Sequence, residues 1–234
     1  MRRFLTIMAI VGAFFQIGGI SNQVSANSKP QLLTGILNKM EKAHQEMKSL
    51  KAEFIQQKTN SQIGVTDSDY GALLYKPAVG KTKGKVRIDY TKPSNSVVSI
   101  IGDTLVYYQP RLNQALKSTV AKASKGKTGY SQLIGLDGSI KSLANNYNFD
   151  YVGDSSLNGQ MTTLLRLTPK AGGQYSSIEL WVSQENWLPV QQKLFERNGD
   201  FTLMTLKNLQ LNPVIPDAAF NVAIPSGTKI VDKI

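Results

Sequence analysis

Val97-Val98-Ser99-Ile100-Ile101-Gly102-Asp103-Thr104-Leu105-Val106-Tyr107-Tyr108 decides the fold class. Two runs of β-branched and aromatic residues flank Gly102-Asp103, the pattern of two antiparallel strands joined by a two-residue hairpin turn. Both runs are apolar on both faces: only Ser99 interrupts Val97–Ile101, and Leu105–Tyr108 is continuous. A sheet with one wet face would show strict alternation. Two readings fit: the sheet is covered on both sides around an ordinary filled core, or it lines an apolar cavity.

Outward from this hairpin the chain stays mostly β. Lys85–Tyr90 alternates cleanly, with Val86, Ile88 and Tyr90 on one side and Lys85, Arg87 and Asp89 on the other. Further strands are expected from Ala52, at Tyr70–Lys76, Gln114–Val120, Phe149–Val152, Met161–Thr168, Ser177–Ser183, Pro189–Glu196 and Phe201–Leu211, with a last one at Phe220–Ile224. Asn198-Gly199 marks a tight turn with both central positions at positive φ. Ahead of the strands, Gln31–Leu50 carries Leu33, Ile36 or Leu37, Met40, Ala43, Met47 and Leu50 at helical spacing. Gly129–Tyr147 holds Leu133, Ile134, Leu136, Ile140 and Leu143 at spacings nearer a helix, broken by Gly135 and Gly138, and reads as one or two short helices.

The N-terminus reads as an export signal: Arg2 and Arg3, an apolar stretch over Phe4–Ile20, then Val24-Ser25-Ala26 as the recognition residues for cleavage. The rival, an uncleaved anchor, would need about 20 apolar residues, which this stretch barely reaches. Cleavage after Ala26 leaves Asn27–Ile234 as a single domain without a Pro/Gly/Ser-rich linker. The chain has no cysteine, so neither a disulfide nor a lipidated cysteine is available. Lys and Arg number 27 against 16 Asp and Glu, a formal net charge of +11, two units of which belong to Arg2 and Arg3. An exported chain is not expected to meet nucleic acid. The excess suits an anionic membrane surface or an acidic protein, or serves solubility alone.

No catalytic constellation stands out, and no enzyme is expected. His44 is the one histidine and sits mid-helix; with no cysteine, no metal-ligand spacing exists. Ser124-Lys125-Gly126-Lys127 matches S-x-x-K, but within a basic loop. Asp67 and Asp69 lie in a polar turn rather than as a catalytic carboxylate pair.

Several segments, in order, resemble the LolA family. They are Leu50-Lys51-Ala52-Glu53-Phe54-Ile55-Gln56, Gly71-Ala72-Leu73-Leu74-Tyr75-Lys76-Pro77, Val86–Pro93, Gly102–Pro110 with Gln114, Leu167-Thr168-Pro169-Lys170, and Phe220–Gly227. The resemblance implies an α+β fold: an open antiparallel half β-barrel covered by an N-terminal helix and short lid helices. It implies a periplasmic carrier that holds the acyl chains of lipoproteins in an apolar cavity and ferries them from the inner to the outer membrane. Its implied partners are acylated lipoproteins, an inner-membrane release transporter and an outer-membrane receptor lipoprotein; a monomer without cofactor or metal is expected. The expected lining is Phe54, Leu74, Val86, Ile88, Tyr90, Ile101, Tyr107, Leu180 and Leu203, with Leu133, Ile134 and Leu136 from the lid. A register slip of one residue would exchange the faces and put Trp181 in place of Leu180. Lys76 stands where the family's lid-closing arginine is usual. Two departures are visible: a basic insert at Ala78–Lys85, expected to meet an acidic or anionic surface, and Val86 and Ile88 where aromatics are common. A sensor of mislocalised lipoproteins and a carrier of another lipid, such as a glycolipid, are the rival functions.

Overall fold

The computed structural model describes residues 28–123, 140–173 and 175–231. Helix α1 (Ser28–Glu46) leads into twelve strands: β1 (Leu50–Asn60), β2 (Val65–Lys76), β3 (Lys85–Lys92), β4 (Val97–Ile101), β5 (Thr104–Gln109), β6 (Gln114–Thr119), β7 (Tyr147–Leu157), β8 (Gln160–Pro169), β9 (Tyr175–Ser183), β10 (Pro189–Glu196), β11 (Phe201–Leu211) and β12 (Lys229–Val231). Two short helices, α2 (Val120–Ala123) and α3 (Ile140–Asn146), lie between β6 and β7. The expected export signal, Ser124–Lys127 and the expected lid residues Leu133, Ile134 and Leu136 fall outside the described residues.

The strands form one sheet in the order β12-β6-β5-β4-β3-β2-β1-β11-β10-β9-β8-β7. Every neighbouring pair is antiparallel except β12 with β6. β12 and β7 stand at opposite ends of that order, so the sheet is an open half-barrel rather than a closed one. The Gly102-Asp103 hairpin has Gly102 at φ 58° in the first central position, the requirement of a type II′ turn. The Asn198-Gly199 turn differs from expectation: only Gly199 has positive φ, at 92°. Gly199 N–H donates to Glu196 O and Glu196 N–H to Asp200 O, a type I turn closed by a left-handed glycine. The longer loop keeps Asn198 in ordinary backbone and frees its side chain to bond Asp200.

Register assigns the two faces. Paired residues share a face, so Leu50, Ala52 and Phe54 line up with Tyr75, Leu73 and Gly71, then with Val86, Ile88 and Tyr90; Val86 and Ile88 continue to Ile100 and Val98, and Val98 to Tyr107. On the other flank Gln56 faces Met204, then Gln192, Leu180, Leu165 and Tyr151. Helix α1 covers this face. Met47 and Ala43 join a cluster with Phe54, Leu73 and Ile88, whereas Ile36 and Met40 join one with Leu165, Ile178 and Leu180. A single helix touching strands near both flanks requires the sheet to curl around it.

The opposite face is covered by the chain after β11. Phe220 and Ile215 are buried there, and the expected strand at Phe220–Ile224 is absent. A 3-10 turn (Asp217–Phe220) takes its place, because this segment crosses the sheet instead of pairing with it. Its carbonyls are held by side chains: Arg87 Nη1 donates to Ala219 O and Asn221 O, and Ser99 Oγ to Phe220 O at 2.6 Å. Only then does β12 add to the β6 edge. Covering both faces is why strands such as Val97–Ile101 are apolar throughout.

Candidate functional site

The candidate site is the apolar side of the sheet that faces α1. Phe54 is its centre: its ring meets Tyr90 edge-on at 5.4 Å between centroids and lies over Gly71 of β2. A side chain at position 71 would strike both the Phe54 ring and the carbonyl of Asp89, so glycine there lets the aromatic ring settle against the strand. Burial drives the Tyr90 hydroxyl well above the ordinary tyrosine range, with Asp69 and Tyr107 adding to the shift, so the group stays neutral.

Phe54, Val86, Ile88, Tyr90, Tyr107 and Leu180 are brought together on this face. Leu74, Ile101 and Leu203 are not: they pair with Lys51 and Arg87, Lys85 and Thr104, and Gln57 and Lys193, and lie on the other side. Their neighbours Leu73, Ile100 and Met204 occupy the helix side instead, and Leu180 rather than Trp181 does so on β9. The cause is the one-residue ambiguity of strands that are apolar on both faces.

A few polar groups interrupt the apolar surface. Gln56, Gln192, Thr202 and Thr163 are buried on it. Gln56 Nε2 reaches Asp69 at 3.3 Å while its Oε1 has no protein partner. Alternation along β1 places Gln56 on the same side as Ala52 and Phe54.

Lys76 lies on the opposite face, where its Nζ donates to Asp217 Oδ1 at 2.9 Å; Lys85 Nζ takes Asp217 Oδ2 at 2.7 Å. Within the described residues Lys76 therefore fastens the arm that follows β11. These two lysines, Lys85 first, hold the Asp217 carboxyl down at about 2. The neighbouring Arg87 guanidinium, bonded bidentately to Asp89, is held above its ordinary value by that hydrogen bond. The basic insert folds back as a small loop in which Val79 and Thr82 exchange two backbone hydrogen bonds. It borders a cleft of about 450 Å³ together with Lys48, Val214 and Ile215. Among the described residues no cluster of three or more His, Asp or Glu is placed to hold a metal ion, and no helix is long and apolar enough to cross a membrane.

Comparison with known proteins places these observations in a family context. Residues 45–223 match the family model described as outer membrane lipoprotein carrier protein LolA. The outer-membrane lipoprotein carrier protein of Cupriavidus necator is 25% identical over 236 residues, covering 99% of each chain. An uncharacterized protein of Methanocaldococcus jannaschii is 25% identical over 227 residues; this chain spans 59% of that protein's length. Among solved structures, an uncharacterized conserved protein from Thermus thermophilus superposes with a TM-score of 0.56 at 13% identity, covering 86% of this chain and 99% of that one. A chain of the Pseudomonas aeruginosa MucA/MucB complex gives 0.51 at 15% identity, with 81% and 60% covered. The two structural matches bear on the fold alone.

Proposed function

Because this chain belongs to the LolA family, we propose that it is a periplasmic carrier that binds the acyl chains of lipoproteins in an apolar cavity and ferries them from the inner to the outer membrane. The observation that carries this reading is the largely apolar face that runs from Tyr107 on β5 to Tyr151 on β7 in two clusters, broken by a few buried polar groups, on a sheet that stays open and is covered by α1. Each CH₂ removed from water contributes about 0.8 kcal/mol, so an acyl chain leaves a bilayer only for a surface of comparable apolarity. A lining of many apolar contacts and few fixed polar ones supports binding that is also reversible.

The role is one of binding without catalysis. Its partners are acylated lipoproteins, a transporter that releases them from the inner membrane, and a receptor lipoprotein at the outer membrane. Export after cleavage at Ala26 brings the chain to the periplasm. The test is incubation of the purified mature chain with spheroplasts, followed by size separation of the medium and mass spectrometry of whatever co-elutes. Acylated lipoproteins in a soluble one-to-one complex support the reading. Recovery of a glycolipid instead, or of no lipid-modified protein, overturns it.

A further inference from the structure

We propose that the cleft between the C-terminal half of α1 and the β9–β10 turn is the passage by which an acyl chain inserts between helix and sheet, with Trp187 positioning it. This inference rests on the carrier reading above. The cleft holds about 410 Å³, within the range of sites for a single small apolar guest. Ala43 of α1 and Met47 just after it line one side, Trp187 and Leu188 of the turn another, and Leu211 of β11 also lines it.

Continuity with the interior identifies the occupant. Met47 and Leu188 belong to the buried cluster around Phe54, Leu73 and Ile88. Trp187 packs on the other cluster, with Ile36, Met40 and Leu180. The cleft therefore opens onto the seam between the two halves of the apolar face. Its outer rim is charged and mixed in sign, with Lys39 and Lys42 against Glu46 and Glu185. An apolar tail with a polar end matches that gradient: the tail follows the seam and the end stays at the rim.

The backbone of Trp187 supplies an independent observation. Its φ is 57°, a conformation that glycine adopts freely and a bulky residue adopts with strain. The turn itself is closed by the backbone of residue 187, whose N–H donates to Ser183 O at 2.9 Å, and by Ser183 N–H donating to Leu188 O at 3.0 Å. Asn186 Oδ1 accepts the Leu188 N–H. None of these bonds uses the indole, so glycine would serve the turn at least as well. The indole instead faces the cleft and α1, with Lys39 Nζ 4.2 Å from its ring centroid. Strain kept for a side chain that the turn does not need points to a role in what the side chain touches.

The test uses the full mature chain and a fluorescent polyene fatty acid, with a diacylated lipopeptide as second probe. Trp187→Gly is expected to bind both probes at least fivefold more weakly, with a cooperative melt whose midpoint falls only by the lost packing against Ile36, Met40 and Leu180. Ala43→Trp fills the cleft from the helix side while leaving the turn's own residues unchanged, and is expected to impair uptake equally. It decides the matter should Trp187→Gly fail to fold. Parent-like affinity in Trp187→Gly or in Ala43→Trp overturns the passage. If the parent chain takes up neither probe, the carrier reading fails first, an outcome distinct from loss in the variants alone.

Discussion

Asn212 Oδ1 accepts the backbone N–H of Lys48 at 2.7 Å, tying the exit of α1 to the end of β11 across 164 residues of chain. The Ser49 N–H approaches the same oxygen at 3.4 Å, Asn212 N–H donates to Ser49 O at 2.9 Å, and Ser49 Oγ donates to Pro213 O at 2.6 Å. Asn212 also has a φ of 57°, which asparagine tolerates better than most residues. One residue thus fixes where the helix leaves the sheet and where the covering arm begins.

Replacing Asn212 by alanine removes that acceptor and places a β-carbon in left-handed backbone. The expected cost is about 2 kcal/mol in urea unfolding, combining a lost hydrogen bond with backbone strain. Asn212→Gly relieves the backbone part and should recover a portion of the loss. Equal destabilisation by the two variants would contradict this division.

Asp217 anchors the arm through Lys85 and Lys76. Its carboxyl is held at about 2, below the ordinary carboxylate range near ~4, so the folded state binds this proton less readily than the unfolded one. The stabilisation is therefore present above that range and is lost as pH falls through the folded value. A carboxyl-detected NMR titration should find Asp217 titrating near 2. Lys85→Met should move it back toward the ordinary range, and Lys76→Met should do so by less. Since the carboxylate is exposed, added salt should weaken the pairing as well. An unmoved titration in Lys85→Met would refute the assignment.

Gly71→Ala should lower stability by about 1–3 kcal/mol, the usual cost of overpacking. The new methyl would meet the Phe54 ring and the Asp89 carbonyl. Adding Phe54→Leu should relieve only the ring contact, because the carbonyl belongs to the backbone. A double variant as stable as Phe54→Leu alone would show that the strand moves aside.

The faces of β2 can be told apart by charge. Leu73 is 1% exposed among Phe54, Ile88 and Tyr75, so Leu73→Glu should cost at least ~3 kcal/mol or prevent folding. Leu74 sits on the other side, paired with Arg87, and Leu74→Glu should fold with a loss below ~2 kcal/mol. Thermal melts of the two variants read the difference directly, and a reversed order would place the register one residue off.

Alternation was legible at Lys85–Tyr90, whereas β7, which alternates from Tyr147 to Leu157, was read only over Phe149–Val152. Lys85–Tyr90 put Val86, Ile88 and Tyr90 on the helix side, where the structure has them. Leu74, Ile101 and Leu203 come from runs without alternation, such as Leu73-Leu74 and Ile100-Ile101, where hydrophobicity carries no phase. Pairing to a neighbour that does alternate settles them: Leu73 opposite Ile88, Ile100 opposite Val86, and Met204 opposite buried Gln192. The 3-10 turn at Asp217–Phe220 was hidden for a related reason. Phe220 looks like a strand residue, yet what buries it is the far side of the sheet.

From its residues alone the chain determined an N-terminal amphipathic helix, a long antiparallel β succession and the tight turn at Gly102-Asp103, because these follow from local periodicity and turn stereochemistry. The family resemblance was likewise written in short local motifs. Which side of each apolar strand faces α1, how the segment after β11 covers the other side, and the meeting of Trp187 with α1 depended on contacts between residues far apart in sequence. Side-chain direction along a strand has a period of two, so only pairing across the sheet could choose between its faces.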